Sequence, residues 1–287
     1  MVRSIGKTEK GTSVPTKSYK DGHVAPKRTT RAQMLGDKVA IVTGAGTGIG
    51  RGIAHALARE GASVVADYVG NADIVKTVCE EIRSFGGSAT SVPADISDPT
   101  EVAKLVTAAC KAYGKVDILI NNAGIEHKMP FLDTPLDIYE KIMEVNLKGV
   151  WLCSQFTARQ MVKQKSGGRI INISSIHEDF TMPTNAAYCA TKGGVRMLMR
   201  TLAVELAAYD ITVNNVAPGA IDTPMDADLK ADPAQYAALL ASIPMRRMGK
   251  PQDVAAVCVF LASDAASYVS GATYYVDGAM SRQFGSL

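Results

Sequence analysis

The chain has 287 residues, 47% of them hydrophobic, which is enough to bury one large α/β core, and its net charge is only +3. No apolar run reaches the roughly 18 residues that a membrane helix requires, and no secretory hydrophobic segment follows the N-terminus, so we expect a soluble, cytoplasmic protein. Five scattered cysteines without a CxxC pair and four histidines without HExxH spacing predict reduced thiols and no metal site.

Residues 1–35 form a basic extension. They carry eight Lys or Arg side chains against Glu9 and Asp21, are rich in Thr, Ser, Gly and Pro, and lack apolar periodicity, which predicts disorder. A targeting peptide and translation from Met34 are alternatives. A nucleic-acid or membrane-surface arm is disfavoured because the charges are spread out and few aromatic residues accompany them. We therefore place the folded domain at residues 36–287.

From residue 38 onward, strand and helix patterns alternate along the chain. Strands are predicted at 39–43, 63–67, 88–93, 116–121, 169–174, 212–216 and 273–276, and helices at about 48–60, 71–85, 98–113, 134–164, 186–208 and 251–262. Strands separated by helices indicate parallel pairing, and nearly continuous apolar strands indicate a sheet covered on both faces. The pattern predicts a single α/β domain with a doubly wound parallel sheet of about seven strands.

The turn after the first strand reads TGAGTGIG, residues 43–50. Gly44, Gly48 and Gly50 permit a tight turn that brings a pyrophosphate to the helix N-terminus, where free N–H groups and the helix dipole favour negative charge. Thr43 and Ile49 belong to the same predicted cofactor-binding turn.

Two further acidic positions follow predicted strands. Asp67, followed by Tyr68, would accept hydrogen bonds from adenosine ribose hydroxyls and repel a 2′-phosphate; the alternative is a surface aspartate in a turn. Asp95, followed by Ile96, would meet the adenine edge or start the next helix. All four residues are assigned to the cofactor site.

Small residues follow the fourth and sixth predicted strands. Asn122, Ala123 and Gly124, in the segment NNAG, let a flat ring pass close to the backbone. The segment PGAIDTPM at 218–225 would lie along the nicotinamide end of a dinucleotide. It adds four predicted cofactor contacts: Pro218, Gly219, Ile221 and Thr223. Residues 226–247 are polar and alanine-rich and predict a mobile lid within the region 220–250.

Tyr188 and Lys192 are four residues apart in a predicted helix, on one face. A cation near a phenol favours the phenolate, so the pair is a candidate acid/base, although a packed tyrosine beside a solvated lysine is the alternative. Ser175, at the end of a predicted strand, would deliver a hydroxyl to the same place. Asn146 is a poor helix former inside the long fourth helix, where a satisfied buried amide is the alternative reading.

Residues 37–280 resemble a short-chain dehydrogenase/reductase, with the TGxxxGxG, NNAG, helix Asn, Ser, YxxxK and PG motifs in order. The resemblance implies a Rossmann-type fold, an NAD(P) cofactor and a homotetramer. It implies that Ser175 orients the substrate oxygen and that Tyr188 exchanges its proton as hydride moves. Lys192 would bind the nicotinamide ribose and lower the pKa of the phenol, and Asn146 would hold a water of the proton relay.

Three segments are similar to bacterial glucose 1-dehydrogenases: NNAGIE at 121–126, ISSIHE at 173–178 and PGAIDTP at 218–224. Glu126 and His177 would hydrogen-bond a polyol there, with Ser175 and Tyr188 at the reacting hydroxyl; packing or capping by His177 and Glu178 is the alternative. The expected substrate is an aldose oxidised at its anomeric carbon. A 3-oxoacyl or small-ketone reductase is the runner-up, and a non-catalytic dinucleotide sensor is the competing class.

The expected cofactor is NAD, with NADP possible. NADP-preferring relatives usually have a basic residue within the glycine turn or just after the second strand, where this chain has Gly46, Thr47 and Val69. NAD-preferring relatives commonly have an acidic residue at the position of Tyr68.

Overall fold

Seven parallel strands form one sheet in the computed structural model, which describes residues 33–224 and 227–282. The order across the sheet is β3-β2-β1-β4-β5-β6-β7. The strands are β1 (Val39–Val42), β2 (Ser63–Tyr68), β3 (Ser88–Pro93), β4 (Ile118–Asn121), β5 (Gly168–Ile173), β6 (Ile211–Pro218) and β7 (Thr273–Val276). The predicted doubly wound sheet of seven strands is confirmed.

Helices cover both faces of the sheet. Core residues of α1, α2 and α9 pack on one face, and those of α3, α5 and α6 pack on the other. The helices are α1 (Gly48–Arg59), α2 (Ala72–Ser84), α3 (Pro99–Tyr113), α4 (Leu136–Met143), α5 (Gly149–Gln164), α6 (Ala186–Glu205), α7 (Ala227–Ala231), α8 (Pro233–Ser242) and α9 (Pro251–Ala262). The central strands are largely apolar because both of their faces are buried.

The predicted helix at 134–164 is interrupted. α4 and α5 are joined by a π-helical turn, Glu144–Lys148, whose extra residue per turn leaves the apolar spacing on either side intact. Residues 227–231 and 233–242, within the predicted lid, are the helices α7 and α8, and the Asp232 carboxylate caps α8 by accepting from the Ala234 and Gln235 amides.

Of the predicted extension at 1–35, residues 1–32 lie outside the described residues. The boundary at 36 is wrong, because Leu35 is completely buried and its N–H donates to the Glu60 carbonyl at 2.8 Å. The folded part therefore includes residues before 36.

All five cysteines lie in the described part of the chain and are free thiols, as predicted. No helix between residues 33 and 282, leaving aside 225 and 226, is long and apolar enough to cross a membrane.

Candidate active site

The predicted site residues converge at the carboxyl ends of the central strands. β1 has β2 on one side and β4 on the other, so the connections leaving β1 and β4 turn to opposite faces of the sheet and open a crevice between them. Ligands of doubly wound sheets bind in such a crevice. The glycine turn follows β1, the NNAG segment follows β4 and Ser175 follows β5, so the fold brings all three together.

The glycine turn fits an anionic group passing close to the backbone. Gly44 has a φ of +62°, and a Cβ there would lie 3.0 Å from the Cα of Ala123. A Cβ on Gly50 would lie 2.3 Å from the Gly44 oxygen. The first turn of α1 has no acidic side chain, so its free N–H groups present positive potential. These features fit the pyrophosphate of a dinucleotide.

The Thr43 and Asn122 side chains join the two turns to each other. The Thr43 hydroxyl accepts from the Asn122 and Ala123 amides at 2.9 and 3.0 Å, and it is completely buried. The Asn122 side-chain amide donates to the carbonyls of Thr43 and Gly44 at 2.9 and 3.1 Å. Both side chains shape the cofactor crevice from beneath instead of facing into it.

Asp67 differs from its predicted role. Its side chain is 1% exposed, Oδ2 accepts from the Gly44 amide at 3.3 Å, and Oδ1 is buried without a hydrogen-bond partner. Burial raises the pKa of Asp67 to about 7, against the lowering effect of the hydrogen bond from Gly44. The glycine turn covers this carboxylate, so Asp67 supports the turn and is not open to a ribose hydroxyl in this structure.

The neighbouring positions divide between surface and core. Tyr68 is half-buried at the end of β2, and its carbonyl accepts from Ala94 at 3.1 Å. Ile96 is buried and packs against Gly149, so its side chain belongs to the core. Asp95 Oδ1 accepts from the amide and hydroxyl of Ser97, which lowers the pKa of Asp95.

The helix after β3, α3, begins at Pro99 and is capped by Asp98, whose carboxylate accepts from the Thr100 and Glu101 amides. Asp95 is therefore not the helix cap. Its Oδ2 lies 3.8 Å from the Nζ of Lys141 on α4.

The segment after β6 approaches the glycine turn from the other side. The Gly219 amide donates to the Val276 carbonyl at 3.0 Å, and Ile221 pairs with Gly249 in an isolated parallel bridge. A Cβ on Gly48 would lie 3.4 Å from the Cγ2 of Thr223. Thr223, which follows Pro218 by five residues, thus lies beside the first residue of α1 at the edge of the crevice.

Ser175, Tyr188 and Lys192 come together at the end of β5. Ser175 is buried and Lys192 is 7% exposed. The Nζ of Lys192 donates to the Ile173 carbonyl at 2.9 Å and lies 5.4 Å from the centroid of the Tyr188 ring. The alternative of a solvated lysine is wrong, because this ammonium is inside the protein.

The pKa of Tyr188 runs opposite to the expected direction. Burial raises the pKa of Tyr188 to about 12, the Ser175 hydroxyl lowers it, and the negative charge of Glu126 raises it further. Burial also lowers the pKa of Lys192 to about 8, opposed by the charge of Glu178. The protonated phenol is favoured in this state because desolvation penalises the charged phenolate more than the Ser175 hydroxyl favours it.

Asn146 lies in the π-helical turn and is 1% exposed. Its Oδ1 accepts from the Ile125 amide and its Nδ2 donates to the Ile125 carbonyl, both at 2.8 Å. The alternative of a satisfied buried amide describes this side chain. Asn146 thereby fixes the backbone of Ile125, the residue after the NNAG segment. It also packs closely on the last residue of that segment, since a Cβ on Gly124 would lie 3.4 Å from the Asn146 Oδ1.

Glu126 and His177 lie near Tyr188, and Asn185 is hydrogen-bonded to Glu126. Glu126 accepts from the Asn185 side-chain amide at 2.9 Å, and its Oε1 lies 3.5 Å from the Lys128 ammonium. The His177 Nδ1 lies 3.1 Å from the Phe180 carbonyl, and the His177 ring meets that of Tyr188 edge-on, with centroids 6.5 Å apart. Asn185 was not among the predicted site residues, although it directly precedes the helix that carries Tyr188.

The chain is similar to proteins of known activity. A family model described as enoyl-(acyl carrier protein) reductase matches residues 44–281. The chain is 42% identical to 3beta-hydroxysteroid dehydrogenase 1 of Eggerthella lenta, over 86% of this chain and 94% of that protein. It is 42% identical to L-rhamnose 1-dehydrogenase (NAD(P)(+)) of Azotobacter vinelandii, over 86% and 98%. It is 41% identical to 3-oxoacyl-[acyl-carrier-protein] reductase of a Synechocystis species, over 85% and 96%.

Among solved structures, a gluconate 5-dehydrogenase of Burkholderia cenocepacia in complex with NADP and tartrate superposes with a TM-score of 0.83 at 34% identity. The superposition covers 88% of this chain and 98% of that one. The names of these relatives indicate different substrates, and the solved structure shares the fold of this chain. The chain therefore belongs to the short-chain dehydrogenase/reductase family, as an oxidoreductase that acts on CH–OH groups with a nicotinamide dinucleotide.

Proposed function

We propose that this protein oxidises an aldose at its anomeric carbon, with Ser175, Tyr188, Lys192 and Asn146 as its reactive and supporting groups. When bound, the nicotinamide ring supplies the hydride acceptor. The observation that carries the substrate class is the polar cluster of Glu126, His177 and Asn185 around Tyr188, because hydroxyl-rich substrates need several hydrogen-bonding groups beside the reacting carbon.

The protein residues move the proton. The Ser175 hydroxyl holds the reacting substrate oxygen, and the Tyr188 phenolate takes the proton from the hydroxyl as the carbonyl forms. The Lys192 ammonium favours the phenolate electrostatically, and Asn146 holds the backbone of Ile125 beside the reaction centre. A phenol whose pKa is raised to about 12 needs this help, so oxidation is expected to quicken as pH rises.

The L-rhamnose 1-dehydrogenase relative supports oxidation at carbon 1 of an aldose. The finer expectation of glucose as the aldose has no support among the relatives described above, so the proposal is limited to the aldose class. The 3-oxoacyl reductase relative favours the runner-up, reduction of a 3-oxoacyl group or small ketone.

We propose NAD as the preferred cofactor, with NADP accepted. Gly46, Thr47 and Val69, at the positions where a basic residue would hold a 2′-phosphate, are all uncharged. Since Asp67 is buried, no carboxylate there repels that phosphate. A comparison of kcat/KM for the two dinucleotides tests this, and a clear NADP preference would overturn it.

We propose that the protein is a homotetramer. Apolar side chains of α5 and α6 are open to solvent in the single chain, including Trp151, Met197 and Val204, which are 51%, 60% and 79% exposed. Met143, Leu147 and Trp151 line a shallow groove of about 360 Å³ on the same surface. Light scattering of the purified protein distinguishes a tetramer from a monomer, and a monomer at micromolar concentration would contradict the proposal.

Reduced-nicotinamide absorbance tests the substrate class. The purified protein is offered each dinucleotide with a panel of aldoses and secondary alcohols and, in reverse, with ketones and 3-oxoacyl thioesters. Aldose-dependent reduction of the dinucleotide supports the proposal. Turnover of ketones or thioesters alone would replace the aldose with the runner-up, and dinucleotide binding without any turnover would favour the sensor.

A further inference from the structure

A row of polar side chains crosses four strands of the sheet next to the candidate active site. Asn121 of β4, Asn172 of β5, Asn215 of β6 and Thr273 of β7 are register partners on four neighbouring strands. The three asparagines are at most 2% exposed. Buried amides are costly unless they are hydrogen-bonded, so their partners are informative.

The amides form a chain of hydrogen bonds with one direction. Asn121 Nδ2 donates to Asn172 Oδ1 at 2.8 Å, and Asn172 Nδ2 donates to Asn215 Oδ1 at 2.9 Å. Asn215 Nδ2 then donates to Glu178 Oε2 at 2.9 Å, and the Thr273 hydroxyl donates to Glu178 Oε1 at 2.6 Å. The row ends on a carboxylate that accepts from both sides, which is the acceptor-only chemistry of an ionised group.

Glu178 also belongs to the turn that carries the catalytic serine. Its amide donates to the Ser175 carbonyl at 3.0 Å and closes the 3₁₀ turn Ile176–Glu178, in which the Ser175 hydroxyl accepts from the His177 amide at 3.2 Å. The Glu178 side chain is fully buried. One residue therefore connects the Ser175 turn to the polar row across β4 to β7.

Several charged groups face this carboxylate. On α6, Lys192 interacts with it electrostatically, and the Nε of Arg196 lies 3.6 Å from its Oε1. On β7, the charge of Glu178 contributes to raising the pKa of Tyr275. Asp179, the next residue of the chain, pairs with Arg196 and accepts a hydrogen bond from the Tyr275 hydroxyl. Lys192 is the buried cation of the proposed reaction, and Glu178 is the acidic group that opposes the lowering of its pKa by burial.

We propose that Glu178 is a positioning residue for the reaction: its carboxylate anchors the Ser175 turn to the row of amides and balances the buried ammonium of Lys192. This inference rests on the proposed roles of Ser175 and Lys192. Glu178 would then contribute to the reaction in two separable ways: its hydrogen bonds would hold the Ser175 turn in place, and its charge would stabilise the Lys192 ammonium.

A Glu178→Gln variant tests the charge. Glutamine keeps an oxygen for the Asn215 amide, and its own amide can donate to the Thr273 hydroxyl, so the anchor is largely retained. Loss of the Glu178 charge removes the effect that opposes the lowering of the Lys192 pKa by burial. The alkaline limb of kcat/KM, where Lys192 loses its proton, is therefore expected to move to lower pH by about one unit, the order of shift that one nearby charge produces. KM for the dinucleotide is expected to stay unchanged. Glu81→Gln, which removes a carboxylate paired with Arg51 and His55 on the outside of α1 and α2, is the matched control and should leave the limb in place.

A Thr273→Val variant tests the anchor without changing the charge. Loosening the Ser175 turn is expected to lower kcat by about 10- to 100-fold, the loss that a misplacement near 1 Å produces, with the alkaline limb unmoved. Thr273→Ser restores the hydroxyl and should restore kcat. This pair decides the question even if Glu178→Gln does not fold.

Two results would overturn the proposal, provided that Tyr188→Phe loses its turnover as expected. One is a kcat of Thr273→Val equal to that of the parent, and the other is a folded Glu178→Gln that keeps the parental alkaline limb. Retained turnover in Tyr188→Phe would instead overturn the proposed function, so the two failures are distinguishable.

Discussion

The ammonium of Lys192 lies 5.4 Å from the centre of the Tyr188 ring, and its hydrogen bond goes to the Ile173 carbonyl. The lysine therefore faces the ring instead of the hydroxyl. Burial and the charge of Glu126 raise the pKa of the phenol, and the Ser175 hydroxyl lowers it. The pKa of Tyr188 therefore depends on separate neighbouring groups, each of which a single substitution can change.

Replacing Tyr188 with phenylalanine is expected to lower kcat by about 10²- to 10⁴-fold, because it removes the group that exchanges the proton. Dinucleotide affinity, measured by fluorescence titration, should be retained. Tyr209→Phe, at an exposed tyrosine after α6, is the control and should behave like the parent. Turnover of Tyr188→Phe close to the parental rate would refute the assigned role.

Glu126→Gln is expected to lower the pKa of Tyr188, because it removes a negative charge that opposes the phenolate. Since oxidation needs the phenolate, the rising limb of its kcat/KM profile should move to lower pH. KM for the aldose should rise, because the Asn185 amide loses its charged acceptor. The exposed Glu205 provides a Gln control, and an unmoved limb in Glu126→Gln would contradict the electrostatic account.

Asp67→Asn is expected to stabilise the protein at neutral and alkaline pH. The folded-state pKa of about 7 lies above the ordinary value of 3.8, so the folded state binds the proton more tightly and stability declines as pH rises between these values. An asparagine avoids this loss. The free energy of unfolding in urea should exceed that of the parent by on the order of 2 kcal/mol at about pH 8, and by less at about pH 5.

The same variant tests the position of the carboxylate. Because Asp67 is covered by the glycine turn, the ratio of kcat/KM for NAD and NADP should keep its order of magnitude in Asp67→Asn. A large change toward NADP would show that the carboxylate reaches the ribose after all. A stability gain independent of pH would contradict the raised pKa.

Gly44→Ala is expected to raise KM for the dinucleotide at least about tenfold, because its methyl group would displace the Ala123 backbone beside the pyrophosphate. A left-handed alanine also costs about 1–2 kcal/mol of stability. Gly86→Ala separates the two effects, since Gly86 has a φ of +87° with no atom within 4 Å of the added carbon. Equal KM values in the two variants would show that Gly44 matters for backbone strain alone.

The fold could be predicted from the sequence because strands and helices alternate along the chain, and each is indicated by the hydrophobic pattern of its own residues. The break at Glu144–Lys148 escaped prediction since a π-helical turn adds a residue without disturbing the apolar spacing of α4 or α5. The direction of the Asp67 side chain was also hidden, because both faces of β2 are buried and alternation does not distinguish them.

The glycine turn, the NNAG segment and Ser175 were found because they lie at strand ends, and Tyr188 and Lys192 because of their spacing in a helix. The supporting residues were not. Asn172 and Asn215 stand within apolar strands, and their partners are fixed only by the pairing of β5 with β6. Glu178 was considered for capping, yet its side chain reaches Thr273, which is 95 positions away in the chain. Contacts of that range depend on topology, which a local pattern does not contain.

The asparagine row has a consequence for how the sheet finds its alignment. In β4, β5 and β6 the neighbouring side chains are mostly Ile, Leu and Val, which would pack almost equally well if one strand slid along the next. A slide by one residue would turn each amide to the opposite face and leave it buried without its partner, at about 1–3 kcal/mol for each group. The asparagines thus discriminate against misaligned sheets that hydrophobic burial alone would accept.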